Sequence, residues 1–163
     1  MDLQIFKNIE LLILDVDGVL TNTEILITEK GELLRTMNTR DGYAMKRLIA
    51  AGIDIMIITG GSSKGVVNRL SNVGAKKIYT GIHNKWEVLK EIVRETSIPL
   101  KNIAYMGDDI LDMQCIQEVG LGCCPADATR EVLSISQFVS SNNGGAGCVR
   151  DLIERILKSK DLW

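Results

Sequence analysis

The sequence predicts an α/β fold, a Rossmann-like three-layer sandwich in which helices cover both faces of a central parallel sheet. Short apolar runs alternate along the chain with segments whose apolar residues recur at helical spacing, and this alternation is typical of repeated βαβ units. The run from Leu11 to Leu14 is apolar throughout, as expected of a central strand that is covered on both faces. With 163 residues, the chain is expected to form a single domain spanning 1–163.

A β-hairpin is predicted after this first strand. Two β-rich stretches, 24–28 and 32–37, flank a short turn that contains a glycine. Because the hairpin comes between the first strand and the first helix, we expect it to project from the core as an insertion over about 24–37. Its apolar side chains, among them Ile25 and Leu33, would then need a partner surface, which predicts oligomerisation.

Two helices are predicted on either side of a second strand. Asp41 precedes a periodic stretch that Gly52 ends, so a helix is predicted over 42–51 with Asp41 as its cap. An apolar strand over 53–58 follows. The polar segment that ends this strand precedes a second helix, predicted over 64–73.

The second half of the chain continues the alternation. Asn84 is a favourable N-cap, Pro125 ends a strand, and the glycine-rich segment 142–147 precedes a final helical stripe of apolar residues. The strands predicted in this half lie at 77–79, 102–106, 120–124 and 135–139. The predicted helices lie at 85–95, 126–133 and 149–157, and one more helix continues from the segment 107–112 to residue 119.

Composition argues against two classes of partner. The formal net charge of −2 and the isoelectric point near 5.5 leave no basic stripe of the kind that binds nucleic acid. No apolar run approaches the ~20 residues that a membrane helix needs. We therefore expect neither nucleic acid nor a membrane as a partner, and a cytoplasmic protein without a targeting segment.

The cysteines and the histidine indicate structural roles. Cys123 and Cys124 are adjacent, Cys115 and Cys148 are isolated, and no Cys-x-x-Cys motif occurs. This spacing favours buried free thiols over disulfides or a metal cluster. His83 is the single histidine, which argues against a zinc site or a histidine-activated nucleophile.

Polar side chains collect where the predicted strands end. Because parallel strands end at one edge of a sheet, these side chains should meet at one site. A cluster of carboxylates is unstable without a cation, and oxygen ligands without histidine or thiolate favour Mg²⁺ together with a substrate phosphate. The side chains concerned are Asp15, Asp17, Thr59, Lys85, Asp108, Asp109 and Asp112.

The same residue types suit phosphoryl transfer. Asp15 is the candidate nucleophile, which would form an aspartyl-phosphate. Asp17 could protonate the leaving oxygen and then accept a proton from water. Thr59 and Lys85 would stabilise the charge on the transferring phosphoryl group, and backbone amides from Gly60 onward could add to this phosphate site.

Four motifs, taken in their order along the chain, resemble those of the haloacid dehalogenase superfamily of phosphohydrolases. The motifs are the segment 15–21, Thr59, Lys85 and the segment 107–112. Over nearly the full length, the chain further resembles the capless, tetrameric subfamily that acts on 3-deoxy-D-manno-octulosonate 8-phosphate. The segments that carry this closer resemblance are 39–43, 79–81, 84–85, 104–109 and 144–151.

The resemblance implies Mg²⁺-dependent hydrolysis of that sugar acid phosphate by a homotetramer, in which the hairpin joins neighbours and replaces a cap domain. Active sites would lie between subunits. It implies that Mg²⁺ is held by the Asp15 carboxylate, the Asp17 backbone carbonyl and Asp108, with Asp112 supporting from nearby. The implied substrate-binding residues are Thr59, Gly60, Arg69 and Lys85.

Three departures from the family pattern leave alternatives open. Gly61 and Ala146 replace larger side chains that are common in the family, and Thr23 replaces a glycine. A phosphatase of a nine-carbon keto-deoxy sugar acid 9-phosphate is therefore one alternative. A second is a non-catalytic oligomerisation module, like the similar domain appended to some sialic-acid cytidylyltransferases. The intact set of motif residues favours the enzyme.

Overall fold

Six parallel strands form one sheet in the computed structural model, which describes residues 3–163. The strands of this sheet are β1 (Leu11–Leu14), β4 (Asp54–Ile58), β5 (Lys77–Tyr79), β6 (Ile103–Met106), β7 (Leu121–Cys124) and β8 (Phe138–Val139). Two short strands, β2 (Leu26–Ile27) and β3 (Leu33–Leu34), form a separate antiparallel pair. The predicted α/β class with a central parallel sheet is confirmed.

Helices lie before, between and after the strands of the sheet. They are α1 (Leu3–Lys7), α2 (Thr39–Ala50), α3 (Lys64–Val73), α4 (Lys85–Thr96), α5 (Met113–Glu118), α6 (Arg130–Ile135) and α7 (Cys148–Ser159), with 3₁₀ turns at Leu100–Asn102 and Ile110–Asp112. The predicted limits of α3 and β5 agree with the structure. The sequence prediction omitted α1, and it placed α6 about two to four residues too early.

The strand order β5-β4-β1-β6-β7-β8 places β1 in the middle of the sheet. Leu14, the last residue of β1, pairs with Ile57 on one side and with Met106 on the other. Because the three strands are parallel and in register, the residues that follow them emerge at one edge. This register fixes the location of the candidate site.

The alternation of side chains along β1 divides the core into two layers. Leu12 and Leu14 pack among residues of α1, α2, α3 and α7, whereas Leu11 and Ile13 pack among residues of α4, α5 and α6. All four side chains are fully buried. A strand buried on both faces needs this unbroken apolar run, which is why the sequence identified β1 so clearly.

The predicted hairpin is confirmed, although its paired strands are shorter than expected. β2 and β3 pair in antiparallel orientation, and Gly31 adopts a φ of +78° in the turn between them, a conformation that favours glycine. The large apolar side chains of this segment are exposed. They are Ile25, Leu26, Ile27, Leu33 and Leu34.

Among residues 3–163, no helix has both the length and the apolar character that crossing a bilayer requires. All four cysteines are buried and free, as the sequence predicted.

The cap of α2 differs from the prediction. Asn38, not Asp41, is the N-cap, and its side chain accepts a hydrogen bond from the Arg40 amide at 2.8 Å. Asp41 lies in the first turn of α2 and is buried, and its Oδ1 accepts from the Arg150 amide in the first turn of α7 at 2.7 Å. Asp41 therefore accepts a hydrogen bond from a backbone amide at the amino-terminal end of a different helix. Local sequence does not reveal this contact.

Replacing Asp41 tests this inter-helix cap. Asp41→Ala should lower the free energy of unfolding by about 1–2 kcal/mol, because a partly buried amide of α7 loses its acceptor. Urea denaturation measures the change. Asp41→Asn keeps the acceptor at Oδ1 and should lose less, so equal losses in the two variants would contradict the assignment.

Candidate active site

A cleft of about 340 Å³ lies at the carboxyl edge of the sheet, where β1, β4 and β6 end. Open α/β sheets commonly bind ligands at this edge. Of the residues that the sequence singled out, the cleft brings together Asp15, Asp17, Thr59, Gly60, Lys85, Asp108, Asp109 and Asp112. Thr23 and Gly61 also line it.

The centre of the cleft is a buried ion-pair cluster. Lys85 begins α4, after the predicted and observed N-cap Asn84. Its Nζ lies 2.8 Å from Asp15 Oδ2 and 2.7 Å from Asp112 Oδ1. All three side chains are at least nine-tenths buried, so the ammonium compensates two carboxylates that have little access to water.

Asp112 is held from several sides. Its Oδ1 accepts from Lys85 and, at 2.6 Å, from the hydroxyl of Tyr105. Its Oδ2 accepts from the backbone amides of Asp108 and Asp109, at 3.3 and 3.4 Å. Because both oxygens already have two donors, this geometry favours Asp112 as the support of Lys85 and of the loop after β6.

Two glycines allow the carboxylates to approach the backbone. Gly18 has a φ of +86°, and a Cβ there would lie 2.0 Å from Asp108 Oδ2. A Cβ on Gly107 would lie 2.3 Å from Asp112 Cγ. A side chain at either position would have to displace the neighbouring carboxylate, so both glycines favour this arrangement of the site.

The electrostatics of the cluster indicate a missing positive charge. Burial and the neighbouring Asp112 raise the pKa of Asp15 to about 6, and burial with Asp15 and Asp112 raises the pKa of Asp108 to about 7. Burial opposes the charge on Lys85, but Asp112 and Asp15 outweigh it and raise the pKa of the ammonium. One lysine thus does not balance the three carboxylates.

The carboxylates meet the requirements of a hard cation. Asp15 and Asp108 each offer an oxygen, and an oxygen of the hydrogen-bonded Asp112 lies within 4.8 Å of both. Carboxylate oxygens are the ligands that Mg²⁺ prefers, and a divalent cation would supply the charge that the cluster lacks. The donor set of this chain therefore fits a magnesium ion.

Thr59 closes the cleft on the side of β4. Its side chain is buried, and its Oγ1 accepts from the Gly61 amide at 3.2 Å. The threonine hydroxyl retains its own proton for donation to a ligand in the cleft.

Asp17 differs from Asp15 in its surroundings. Its carboxylate is about one-third exposed and forms a two-point ion pair with Arg35, in which Nη2 lies 3.1 Å from Oδ2 and Nε contacts Oδ1. Arg35 follows β3 of the hairpin, and its side chain is only 8% exposed. The two carboxylates of the Asp-x-Asp motif therefore have separate partners.

Arg69 is the predicted site residue that the chain does not bring to this cleft. It is exposed on α3, and its guanidinium lies against Gly42 of α2, where an added Cβ would be 2.6 Å from Nη2. Sequence reasoning also missed Arg35 and Tyr105. Tyr105 lies within the apolar run of β6 and was indistinguishable from a core residue, while Arg35 lay in a segment expected to project.

The comparisons with known proteins agree with this architecture. Residues 71–152 match the haloacid dehalogenase-like hydrolase family. The 3-deoxy-D-manno-octulosonate 8-phosphate phosphatase of Escherichia coli K12 is 36% identical over 151 residues, which cover 93% of this chain and 80% of the relative.

Solved structures show the same likeness. The 3-deoxy-D-manno-octulosonate 8-phosphate phosphatase of Moraxella catarrhalis, crystallised with magnesium, phosphate and 3-deoxy-D-manno-octulosonate (KDO), is 32% identical, with a TM-score of 0.94 over 96% of this chain and 90% of that one. A Vibrio cholerae protein described as a putative phosphatase of the same type is 38% identical, with a TM-score of 0.96 over 99% of this chain and 90% of that one.

Tyr105→Phe tests the support of Asp112. The pKa of the buried Tyr105 is raised well above its usual range by burial and by Asp112, so the hydroxyl remains a donor. Its loss should lower the free energy of unfolding by about 1–2 kcal/mol, measured by urea denaturation. The matched change Tyr79→Phe removes a long, exposed contact to Glu95 and should cost less than about 0.5 kcal/mol. Equal costs would contradict the role of Tyr105.

The raised pKa values of Asp15 and Asp108 predict how stability depends on pH. Both groups have an ordinary value of 3.8, so the folded chain binds their protons more tightly than the unfolded chain does. Their contribution to stability is fully present below about pH 3.8 and is lost as pH rises through about 6 to 7. Without metal, the free energy of unfolding of the parent protein should therefore fall more between pH 5 and 8 than that of the Asp108→Asn variant.

Added Mg²⁺ should reverse this loss, because the cation binds the ionised carboxylates. At about 100 times its dissociation constant it would add about 2.7 kcal/mol, and more at pH 8 than at pH 5. Thermal unfolding at the two pH values, with and without Mg²⁺, measures both effects. A stabilisation that is independent of pH, or that persists in Asp108→Asn, would contradict the site.

Proposed function

This chain belongs to the haloacid dehalogenase-like hydrolases and, within them, to the 3-deoxy-D-manno-octulosonate 8-phosphate phosphatase family, and we propose that it hydrolyses this phosphate to the free sugar acid and inorganic phosphate. The observation that carries the proposal is the buried cluster of Asp15, Lys85 and Asp108 in a cleft that Thr59 also lines. This cluster supports the proposal, because Asp15 would serve as the nucleophile beside the Lys85 ammonium and the proposed metal ligand Asp108.

The first proposed step transfers the phosphoryl group to Asp15. The Asp15 carboxylate forms a bond to phosphorus as the bond from phosphorus to the sugar oxygen breaks, and the sugar oxygen takes a proton from Asp17. Lys85 holds the Asp15 carboxylate in place through its 2.8 Å contact. Thr59 and the Gly60 backbone line the space that the phosphoryl oxygens would occupy.

The second proposed step hydrolyses the aspartyl-phosphate. Water gives a proton to the Asp17 carboxylate and forms a bond to phosphorus as the bond to Asp15 breaks, which releases phosphate and restores Asp15. Asp17 suits this step because its side chain is partly exposed to solvent. Asp15, by contrast, is buried.

Mg²⁺ is the proposed cofactor. The residues that would hold it are Asp15, Asp108 and the Asp17 backbone carbonyl, with Asp112 in support. When bound, the ion neutralises charge on the phosphate oxygens and on the carboxylates. The proposed sugar contact of Arg69 would come from an exposed position on α3, away from the phosphate end of the cleft.

A homotetramer is the proposed assembly. The exposed apolar side chains of the hairpin would be buried by a second copy of the chain. The proposed compartment is the cytoplasm, whose reducing conditions suit four buried free thiols.

Two alternatives are distinguishable by experiment. A nine-carbon substrate is the first, since the small residues Gly61 and Ala146 leave the recognition of the sugar open. A non-catalytic assembly module is the second, and the complete Asp15, Lys85 and Asp108 cluster argues against it.

A panel of phosphates tests the proposal. With Mg²⁺, phosphate release should be faster from the eight-carbon keto-deoxy sugar acid phosphate than from its nine-carbon analogue or from hexose phosphates, because the sugar contacts add to binding. Equal turnover of all of them would overturn the substrate, and absence of metal-dependent release would overturn the activity.

Asp15→Asn tests the nucleophile. Because an amide cannot replace the attacking carboxylate, kcat should fall by about 10³-fold or more. Asp54→Asn removes a carboxylate of the exposed Lys76 ion pair and should stay within about twofold of the parent. Undiminished release by Asp15→Asn would contradict the assigned role.

A further inference from the structure

Arg35 is a residue of the hairpin region that turns toward the candidate site. The hairpin's large apolar side chains are exposed, whereas the Arg35 side chain is 8% exposed and contacts both oxygens of Asp17. Its Nη1 also donates to the Leu33 carbonyl of β3 at 3.4 Å, which ties the guanidinium to the neighbouring strand. A mostly buried arginine with two-point geometry is a defined contact, unlike a solvated surface ion pair.

Gly61 lies beside this ion pair. A Cβ added at Gly61 would lie 3.4 Å from Asp17 Oδ2 and 3.7 Å from Arg35 Nη2, so the ion pair packs directly beside the Gly61 backbone. At these distances a Cβ would be in ordinary van der Waals contact with both groups. Gly61, Arg35 and Asp17 therefore lie in one packed group.

Few other contacts orient the Asp17 side chain. Within the described part of the chain, the other hydrogen bond to its carboxylate comes from Thr21 Oγ1, at a long 3.5 Å. Asp17 is about one-third exposed, so without Arg35 its carboxylate would be free to change rotamer. The guanidinium fixes both its position and its plane.

We propose that Arg35 is a positioning residue, which holds the Asp17 carboxylate in the orientation that accepts a proton from the attacking water. This inference rests on the proposed function, because it assigns Arg35 to the hydrolysis of the aspartyl-phosphate. In that step the bond from water to phosphorus forms, the bond from phosphorus to Asp15 breaks, and the water proton moves to Asp17. Arg35 makes no bond to the reacting atoms.

An aryl phosphate isolates this step. The leaving group of 4-nitrophenyl phosphate departs as a stable anion, so transfer of its phosphoryl group to Asp15 needs no proton from Asp17. Loss of Arg35 should then slow hydrolysis of the aspartyl-phosphate alone. A general base contributes about 10²–10⁴-fold to a rate, and loss of its orientation should remove about 10-fold of that.

The experiment compares Arg35→Met with the parent enzyme in the presence of Mg²⁺. We expect kcat for 4-nitrophenyl phosphate to fall about 10-fold, while kcat/KM stays within about twofold, so that KM falls with kcat. Rapid mixing should show a burst of 4-nitrophenol close to one per chain, and protein quenched in acid should carry covalent phosphate detectable by mass.

Two control variants accompany this comparison. The kcat of Arg35→Lys, which retains a charged donor, should lie between those of Arg35→Met and the parent enzyme. Lys46→Met removes a positive charge from an exposed position of α2 and should behave as the parent.

The outcomes separate the inference from the proposed function. Equal losses of kcat and kcat/KM without a burst would overturn the positioning role, and so would unchanged kinetics. A parent enzyme that releases no phosphate would overturn the proposed function instead. If thermal unfolding shows that Arg35→Met is not folded, Arg35→Lys provides the test. A burst with lowered kcat in that variant supports the positioning role, and equal losses of kcat and kcat/KM, or unchanged kinetics, overturn it.

Discussion

The ammonium group of Lys85 lies between the buried carboxylates of Asp15 and Asp112, and the arrangement of the sheet edge depends on that contact. Neither carboxylate could be buried alone, because an unpaired buried charge costs several kcal/mol. The contact brings the start of α4 to the ends of β1 and β6. It also explains why Tyr105 and two backbone amides converge on Asp112: the residue that holds the lysine must itself be held.

The parallel register of the sheet makes this convergence possible. β1 is buried on both faces and paired on both sides, so its carboxyl end has little freedom. Asp15 is therefore delivered to a fixed point, with Thr59 and the loop after β6 on its two flanks. Because Gly18 and Gly107 have no side chains, the carboxylates of Asp108 and Asp112 can lie close to the backbone at these positions. Rigid strands position the acids, and glycines let them approach.

The hairpin has two chemically distinct sides. Its apolar side chains are exposed, while Arg35 reaches inward to Asp17. A segment proposed to mediate assembly is thus joined by an ion pair to the candidate acid/base residue. The ion pair therefore links the conformation of the hairpin to that of the candidate site.

The sequence by itself determined the fold class, most of the secondary structure and the residues that gather at the site. It did so because these features are local: β1 is an unbroken apolar run, Asn84 caps the helix that Lys85 begins, and polar residues directly follow three strands. Only the tertiary structure decided that Arg35 pairs with Asp17, that Tyr105 supports Asp112, that Asp41 caps α7 and that Arg69 lies away from the cleft. The Asp41 contact joins residues 109 positions apart and the Arg35 contact joins residues 18 apart. Local periodicity cannot specify such partners, because they are chosen by where the packed elements bring the side chains.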